Sequence, residues 1–339
     1  MATETIKSVG SSGRDYATLA LWEAARQGDL VAGNLIETAE LYADSIFTNC
    51  CTFAGWTTND TNYIKVTVPA SQRHAGKWTA AKQQFYLEGG VGAGFNVLQI
   101  GTTNPGRVIL EWMQFSLYDT AGIVGNFGGL GLEDVTIRNC IAKKIDHWSE
   151  GFFISLLGAS YILNNTLYYL GGDYAQQHTG IDVVKYRTAN IISNNTIYGF
   201  QSGINNNGSS YQPYVKNNIC MGCATDFAGS AFDASRCSNN MSSDATAPGA
   251  NSLTSKTASN QFVDVANFDL HLKAGADALL AGVDLGNTWG VNNDIDNYDR
   301  DAVTVGWDIG SHQLSRPAAG GDFKTFSRGV CRGVRRSMA

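Results

Sequence analysis

The feature of this chain that most restricts its fold is a short motif in which a pair of polar residues, usually Asn-Asn, separates two apolar or β-branched stretches. The copies are residues 137–141 (IRNCI), 163–167 (LNNTL), 193–197 (SNNTI), 216–220 (KNNIC) and 238–241 (SNNM). With Arg138 as the first in-register position, the steps between copies are 26, 30, 23 and 22 residues. A period in the twenties with a variable remainder is typical of a solenoid whose coils carry loops of different length.

The local pattern predicts that the coils consist of short strands. Apolar and β-branched residues alternate, as in residues 135–137 (VTI) and 191–193 (IIS), and Gly or Asn interrupts them. Residues 130–245 show no sustained helical period. Strands of one coil would pair in parallel with those of the next, which places the Asn pairs above one another. Stacked Asn side chains can form amide ladders, and Asn tolerates the left-handed backbone of a tight turn.

Composition excludes several classes of protein. The 339 residues carry a formal charge of −6, and 43% of them are hydrophobic, so a sizeable core can form. The longest apolar run, residues 152–159, is far shorter than the ~18 residues that a membrane helix needs. The acidic balance argues against nucleic acid as a ligand. We therefore expect neither a membrane nor a nucleic acid as a partner.

The start of the chain predicts a cap for the first coil. Asp15 is a suitable N-cap for a short helix over residues 16–27, which Gly28 would end. Three segments follow from this pattern: an N-terminal cap of strand plus helix over 1–30, a parallel β-helix over 31–315, and a basic C-terminal tail over 316–339.

Both ends resemble a known superfamily. Residues 13–19 (GRDYATL) and 22–25 (WEAA) resemble the opening of many right-handed parallel β-helix proteins. Residues 262–264 (FVD), 268–275 (FDLHLKAG), 294–296 (DID) and 308–312 (DIGSH) resemble the ending of the pectate-lyase-like superfamily, with Ala276-Asp277 in place of Ser-Pro and residues 311–313 (SHQ) in place of Ala-Tyr-Glu. The resemblance implies an all-β fold, a right-handed parallel β-helix solenoid with a short N-terminal capping helix. It implies no single function, because this fold carries lyases, hydrolases, epimerases, adhesins and phage spikes.

Candidate catalytic residues lie in a polar cluster over residues 146–187. The lyase and hydrolase signatures of this fold are absent, since the chain has no Asp-Asp pair and no Gly-His-Gly. The candidates for acid–base work are His147, Asp173 and His178, and a step of 26 residues would stack Asp173 over His147. The alternatives are that these residues are solvated loop residues between coils or that they bind sugar.

Tyrosine is concentrated in one segment. Eight of the 14 tyrosines fall in residues 161–214. Tyrosine rings stack on the apolar faces of sugars and add a hydrogen bond. The candidates for glycan binding are Tyr168, Tyr169, Tyr174 and Tyr186. The alternative is that such rings stack within the coils or fill an oligomer interface.

We expect no metal and no other cofactor. Cys220 and Cys223 have the spacing of a zinc half-site, but no second pair completes it. The acidic loop 292–301 is rich in oxygen ligands, so calcium stays an alternative there. Its spacing does not fit a calcium loop, because Tyr298 occupies the third ligand position.

These features favour a structural protein of a phage virion: a spike, fibre or capsid decoration that contacts other virion proteins and host surface glycans. Residues 1–20 include Glu4, Lys7, Arg14 and Asp15 and lack the apolar stretch of a secretory signal, which suits a virion protein released by lysis. One alternative is a polysaccharide lyase or glycoside hydrolase on the same scaffold. Another is a bacterial surface adhesin.

Phage β-helix proteins of the type that the chain resembles are often trimers, so the resemblance implies a homotrimer. The basic tail is either a segment that docks on an acidic surface, such as a neighbouring copy, or an unstructured solubilising sequence, and we expect it to dock. Arg328, Arg332 and Arg336 are four residues apart, so a helix would place them on one face with Arg335 beside them, suited to docking on an acidic neighbour. We expect light scattering to show a trimer for the full chain and a monomer for a chain that ends at Pro317. A monomer in both cases would contradict the assembly role of the tail.

Overall fold

A computed structural model of the chain shows three long parallel sheets around one apolar core. It describes residues 1–44, 46–82, 84–87, 96–101, 106–117, 121–125, 134–144, 151–156, 159–169, 171, 178–183, 190–208, 212–286, 292–302 and 306–315. Within these ranges, no helix is both long and apolar enough to cross a membrane.

From its second strand onward the chain visits the three sheets in turn, so that one strand of each sheet makes one coil. Sheet I contains, in spatial order, β1 (Thr3–Val9), β2 (Leu35–Leu41), β5 (Ile64–Thr67), β8 (Arg107–Glu111), β11 (Asp134–Arg138), β14 (Ala159–Leu163), β17 (Ile191–Ser193), β20 (Tyr214–Lys216) and β23 (Cys237–Ser238). Sheet II contains β3 (Ile46–Phe47), β6 (Gln84–Leu87), β9 (Gln114–Leu117), β12 (Ile141–Lys144), β15 (Thr166–Tyr169), β18 (Thr196–Tyr198), β21 (Ile219–Met221) and β24 (Met241–Ser242). Sheet III contains β4 (Cys51–Phe53), β7 (Asn96–Ile100), β10 (Ala121–Gly125), β13 (Gly151–Leu156), β16 (His178–Val183), β19 (Ser202–Asn206) and β22 (Thr225–Gly229).

This arrangement confirms the parallel β-helix. In sheet I the inward positions of successive strands lie in register, and every member of the column is buried: Ala39, Val66, Leu110, Ile137, Ile162, Ile192, Val215 and Cys237. The alternation of side chains along a strand places the intervening residues on the outer face.

The Asn pairs form the corner between sheets I and II. The first Asn of each pair adopts the left-handed conformation with φ between 54° and 57°, at Asn139, Asn164, Asn194, Asn217 and Asn239. Arg138 pairs with Leu163, so Asn139 stands over Asn164. The first step is therefore 25 residues and not 26, because the left-handed corner, rather than the first polar residue, sets the register.

The second Asn of each pair points inward and forms the amide ladder expected from the sequence. Asn165 Nδ2 donates to Asn195 Oδ1 at 3.0 Å, and Asn195 Nδ2 donates to Asn218 Oδ1 at 3.0 Å. Asn218 continues to Asn240 at 3.2 Å. Each Oδ1 also accepts the backbone N–H of the equivalent residue one coil earlier, so these buried amides are satisfied.

Both ends of the solenoid are covered. The helix α1 (Leu19–Arg26) packs Trp22 against Trp56, with ring centroids 5.7 Å apart. Its N-cap is Thr18 and not Asp15, because Asp15 instead accepts hydrogen bonds of 2.9 Å from the backbone and hydroxyl of Ser8. A second short helix, α2 (Leu30–Gly33), follows. At the other end, the backbone N–H groups of Asp226 and Phe227 in β22 donate hydrogen bonds to Asp244 Oδ2 and Thr246 Oγ1. These bonds protect the edge strand β22 from pairing with another strand.

We call residues 257–315 the C-terminal strap. In the described part of this segment no strand joins sheets I to III, although the sequence placed it in the β-helix. The strap begins with α3 (Ala258–Gln261) and the antiparallel pair β25 (Phe262–Asp264) and β26 (Asp269–Leu272). It then runs back along the Asn corner, where outward Asn side chains donate to its carbonyl groups: Asn239 to Ala281, Asn217 to Val283, Asn164 to Asn293 and Asn139 to Asp294, at 2.6–2.8 Å. The rest of the three-part division stays a prediction, and the tail lies outside the described residues.

The ladder predicts a large loss of stability on substitution of Asn195. Asn195→Ala removes the acceptor of Asn165 and leaves the carbonyl of Ile162 without its donor in a buried corner. We expect the free energy of unfolding to fall by about 2–4 kcal/mol, since each buried unsatisfied group costs about 1–3 kcal/mol. Urea denaturation followed by circular dichroism measures this. Asn260→Ala, at an exposed position of α3, is the control, and an equal loss in both variants would contradict the role of the ladder.

Candidate functional site

A polar cavity of about 270 Å³ lies at the corner where β8 and β11 end, and we call it the corner groove. Glu111 and Arg138 are the last residues of these two strands and neighbours in register, on the outer face of sheet I. The coils contribute Arg73, Glu111, Trp112, Arg138 and Asn139, and the strap contributes Asn292, Asn293 and Asn297.

The one acidic residue that lines the corner groove is fixed in an ion-pair network. Glu111 is only 3% exposed; it accepts hydrogen bonds from Arg138 Nε at 2.8 Å and Thr67 Oγ1 at 2.9 Å, and Lys65 Nζ lies 3.8 Å away. Burial alone would raise its pKa, but Arg138 and Lys65 outweigh burial and hold the pKa below its usual value. Glu111 is therefore an ionised anchor for Arg138 and a poor proton donor at neutral pH.

Arg73 is a cation without such an anchor. Its Nε donates to the carbonyl of Val68 at 3.0 Å, and its guanidinium lies over the Trp112 ring, 4.5 Å from the centroid. Among the described residues, no carboxylate lies within 4.0 Å of it. Burial lowers the pKa of this half-buried guanidinium, and the charge of Glu111 opposes that shift. The lining of the groove therefore contains two guanidinium groups and one carboxylate, which gives it a net charge of +1.

Trp112 forms the floor of the groove in an unusual backbone conformation. Its φ is +66°, and it stands one coil before Asn139, where the later coils have Asn. The left-handed conformation costs a residue with a large side chain about 1–2 kcal/mol. Packing offsets this cost, because the ring is only 6% exposed and lies 5.7 Å from the buried ring of His74. Strain of this kind is often found at binding sites.

Amide groups complete the groove. Asn293 Nδ2 donates to Asn297 Oδ1 at 3.0 Å, and the buried Oδ1 of Asn292 has no hydrogen-bond partner among the described residues. Amides both donate and accept, which suits hydroxyl groups. Guanidinium groups beside amides suit a ligand that carries negative charge and hydroxyls.

A cluster of His and Asp side chains lies next to Asn297 on the strap. His271 Nδ1 is hydrogen-bonded to Asp269, and its Nε2 lies 3.2 Å from Asp296 Oδ1. His312 Nε2 lies 3.6 Å from Asp296 Oδ2. Gly76, with φ +65°, passes so close that an added Cβ would collide with His271 Nε2 and Asp296 Oδ1. The cluster therefore holds the strap against the 70–76 segment.

The donor chemistry of this cluster does not fit a metal ion, although potential ligand atoms of His271, Asp296 and His312 lie within 4.8 Å of one another. The backbone N–H of Leu272 donates to His312 Nδ1 at 3.1 Å, so Nδ1 is unprotonated. A neutral His312 then carries its proton on Nε2, the nitrogen that faces Asp296. A protonated nitrogen cannot coordinate a metal.

Two carboxylates hold His271 as a cation. Burial alone would lower the pKa of His271, but hydrogen bonds and charge from Asp296 and Asp269 raise it to about 9. Burial and the charge of His271 lower the pKa of His312, which stays neutral. In the nearby loop 292–301, Asp294 accepts backbone N–H groups of Asp296 and Tyr298, and the calcium alternative there stays a prediction.

The structure corrects three of the sequence-predicted site residues. Tyr168 and Tyr169 are each 1% exposed and cannot stack on a glycan at the surface, so this expectation is wrong for both. Tyr168 is covered by Phe268 of the strap, with ring centroids 4.6 Å apart, and Tyr169 lies in the core. His178 is 0% exposed, 5.0 Å from the Tyr169 ring, and cannot reach a dissolved substrate. The remaining candidates lie outside the described residues: His147, Asp173, Tyr174, Tyr186, Arg328, Arg332, Arg335 and Arg336.

Sequence reasoning missed the corner groove. Three of its lining residues, Arg73, Glu111 and Trp112, come from segment 31–130, which the repeat pattern does not place in register. One signal was present: residues 111–114 (EWMQ) occupy the corner one coil before the Asn139 copy, with Trp112 at the position of the first Asn.

The raised pKa of His271 predicts a loss of stability in alkali. A His whose folded pKa lies above the unfolded value of ~6.5 stabilises fully below that value, and the stabilisation is lost as the pH rises through about 9. We expect the free energy of unfolding to fall by about 2–3 kcal/mol between pH 6.5 and 9.5, measured by urea denaturation. His271→Gln should remove most of this slope. His74→Gln should retain it, because burial lowers the pKa of His74 to about 4; a wild-type curve parallel to that of His271→Gln would contradict the assignment.

Comparisons with known proteins add little beyond the fold. No protein-family model matches the sequence, and the comparison with curated proteins finds no match. Among solved structures, pectate lyase Pel9A is similar to this chain, with 13% sequence identity, a TM-score of 0.33, and coverage of 93% of this chain and 97% of that chain. The likeness concerns the fold alone, and no functional argument rests on it.

Proposed function

We propose that this chain is a structural protein of a phage virion, a spike, fibre or capsid decoration, whose β-helix binds acidic glycans of the host surface in the corner groove. The observation that carries the glycan-binding part is the half-buried Arg73 guanidinium, which has no carboxylate partner among the described residues. The virion role and the trimer rest on the sequence argument.

The chemistry of the groove favours a carboxylated sugar. A guanidinium binds a carboxylate through two parallel N–H···O bonds, and a half-buried one is screened less by salt than an exposed one. Arg138 is already committed to Glu111 at 2.7 Å, which leaves Arg73 to pair with the ligand. The amides of Asn293 and Asn297 lie at the exposed rim, where sugar hydroxyls can reach them.

The scaffold supports a structural role. The amide ladder and the strap tie every coil from β11 to β24 to its neighbours, and the last edge strand is protected. Such a solenoid presents an outer face whose spacing is fixed by the backbone. A groove on that face keeps its geometry without a partner domain.

The enzyme alternative lacks a comparable observation in the corner groove. A hydrolase needs a carboxyl that can give up a proton, and a lyase needs a base beside the sugar. Glu111, the one acid of the groove, is held ionised by Arg138 and Lys65. The binding experiment also tests the enzyme alternative, because an active lyase or hydrolase would shorten the oligosaccharides in the same samples.

Binding is tested by calorimetry with oligogalacturonate and alginate oligosaccharides on the full chain. We expect Arg73→Ala to weaken binding at least roughly tenfold, which is the loss of one charge-assisted contact. Arg236→Ala is the matched control, because Arg236 also lies over a ring, 5.0 Å from the centroid of Tyr214, and donates to a backbone carbonyl. If neither acidic oligosaccharide binds the wild type, or if both variants lose affinity equally, the proposal fails.

A further inference from the structure

A second cavity, of about 420 Å³, lies at the opposite ends of the same two strands, and we call it the strand-start cavity. Arg107 and Asp134, the first residues of β8 and β11, are neighbours in register there. The loop 58–61 forms the opposite wall.

Arg107 is held in place by the cavity wall. Its Nη1 donates to the carbonyl of Asp60 at 2.8 Å, and its guanidinium lies 5.2 Å from the ring centroid of Tyr63. Its Nε is buried and has no hydrogen-bond partner among the described residues. A buried N–H of a charged group without an acceptor is rare in proteins.

Asp134 carries an acceptor without a donor. Its Oδ2 lies 3.9 Å from Arg107 Nε, beyond hydrogen-bond distance, and its Oδ1 is buried without a hydrogen-bond partner in the described part of the chain. One donor and one acceptor therefore line the same cavity, both unsatisfied. A hydroxyl group donates and accepts at once, so a single hydroxyl placed between them satisfies both.

We propose that the strand-start cavity binds a neutral sugar residue, one hydroxyl of which accepts from Arg107 Nε and donates to Asp134 Oδ1. The wall includes Thr58, whose Oγ1 accepts the backbone N–H of Arg107 at 2.6 Å and keeps its hydroxyl proton for a further acceptor.

The two cavities lie on one strand face. β8 and β11 each have five residues, so the cavities are separated by about 13 Å at the ~3.3 Å rise of a strand. The inference that the ligand is a glycan rests on the proposed function, but the residues that hold the neutral sugar are different from those of the corner groove. The two sites can therefore fail independently.

Saturation-transfer NMR on the full chain with neutral oligomers of glucose, galactose and mannose tests this proposal. We expect at least one of them to bind, and Asp134→Ala to weaken that binding about tenfold. Asp134→Ala should not lower the melting temperature, because the carboxylate makes no hydrogen bond with the described residues. Asp233→Ala is the matched control, since Asp233 lies 3.7 Å from Arg236, which also lies over a tyrosine ring. Arg73→Ala should leave the binding of neutral oligomers unchanged.

Three results would overturn the inference. The first is that none of the three neutral oligomers binds while an acidic oligosaccharide does, which leaves the proposed function standing. The second is that Asp134→Ala and Asp233→Ala change affinity equally. The third is that crystals soaked in the bound oligomer show only water between Arg107 and Asp134. If a neutral oligomer binds and neither acidic oligosaccharide does, the corner groove has no place in the proposed function, and the strand-start cavity stays a sugar site.

Discussion

The two Asn residues at each corner have different tasks, and the rest of the structure depends on this division. The second Asn points inward, where its amide joins the ladder and accepts the backbone N–H of the previous coil. The first Asn adopts the left-handed conformation that turns the chain from sheet I to sheet II, and its side chain points outward to the strap. One dipeptide thus satisfies the buried corner, makes the turn and holds the C-terminal segment, which explains why these copies dominate the sequence pattern.

The corner groove is a consequence of where the Asn column stops. Asn139 is the last outward amide that donates to the strap, at Asp294. One coil earlier the corner residue is Trp112, whose backbone N–H still pairs with Arg138 O at 3.3 Å but whose indole lies under Arg73. At this coil no Asn side chain donates to a described carbonyl group of the strap. Residues 292–297 of the strap therefore form one wall of a cavity instead of packing directly against the coil. The strain at Trp112 and the opening of the groove have the same origin.

The sequence predicted the parallel β-helix because the Asn copies record both the coil length and the position of a turn. It placed the first register one residue out, since Arg138 and Asn139 are both polar and only the backbone conformation distinguishes them. It predicted Tyr168 as a glycan-binding residue because tyrosine is concentrated in residues 161–214, and that concentration does not show that the strap covers Tyr168. The site was not predicted because Arg73 lies in a connection between β5 and β6, where no repeat fixes its position relative to Trp112.

Charge pairing along sheet I leaves Arg73 outside the row of paired charges. Glu4, Lys65, Glu111 and Arg138 alternate in sign across sheet I, with separations of 3.7, 3.8 and 2.7 Å; Glu4 reaches Lys65 across the intervening strand β2. Each of these charges has an opposite neighbour, so the row is neutral within itself. Arg73 lies beside the end of this row and adds a positive charge that the row does not balance. In a chain with a net charge of −6, this half-buried cation on an aromatic ring makes the corner groove locally positive, and the proposed binding of an acidic glycan depends on that charge.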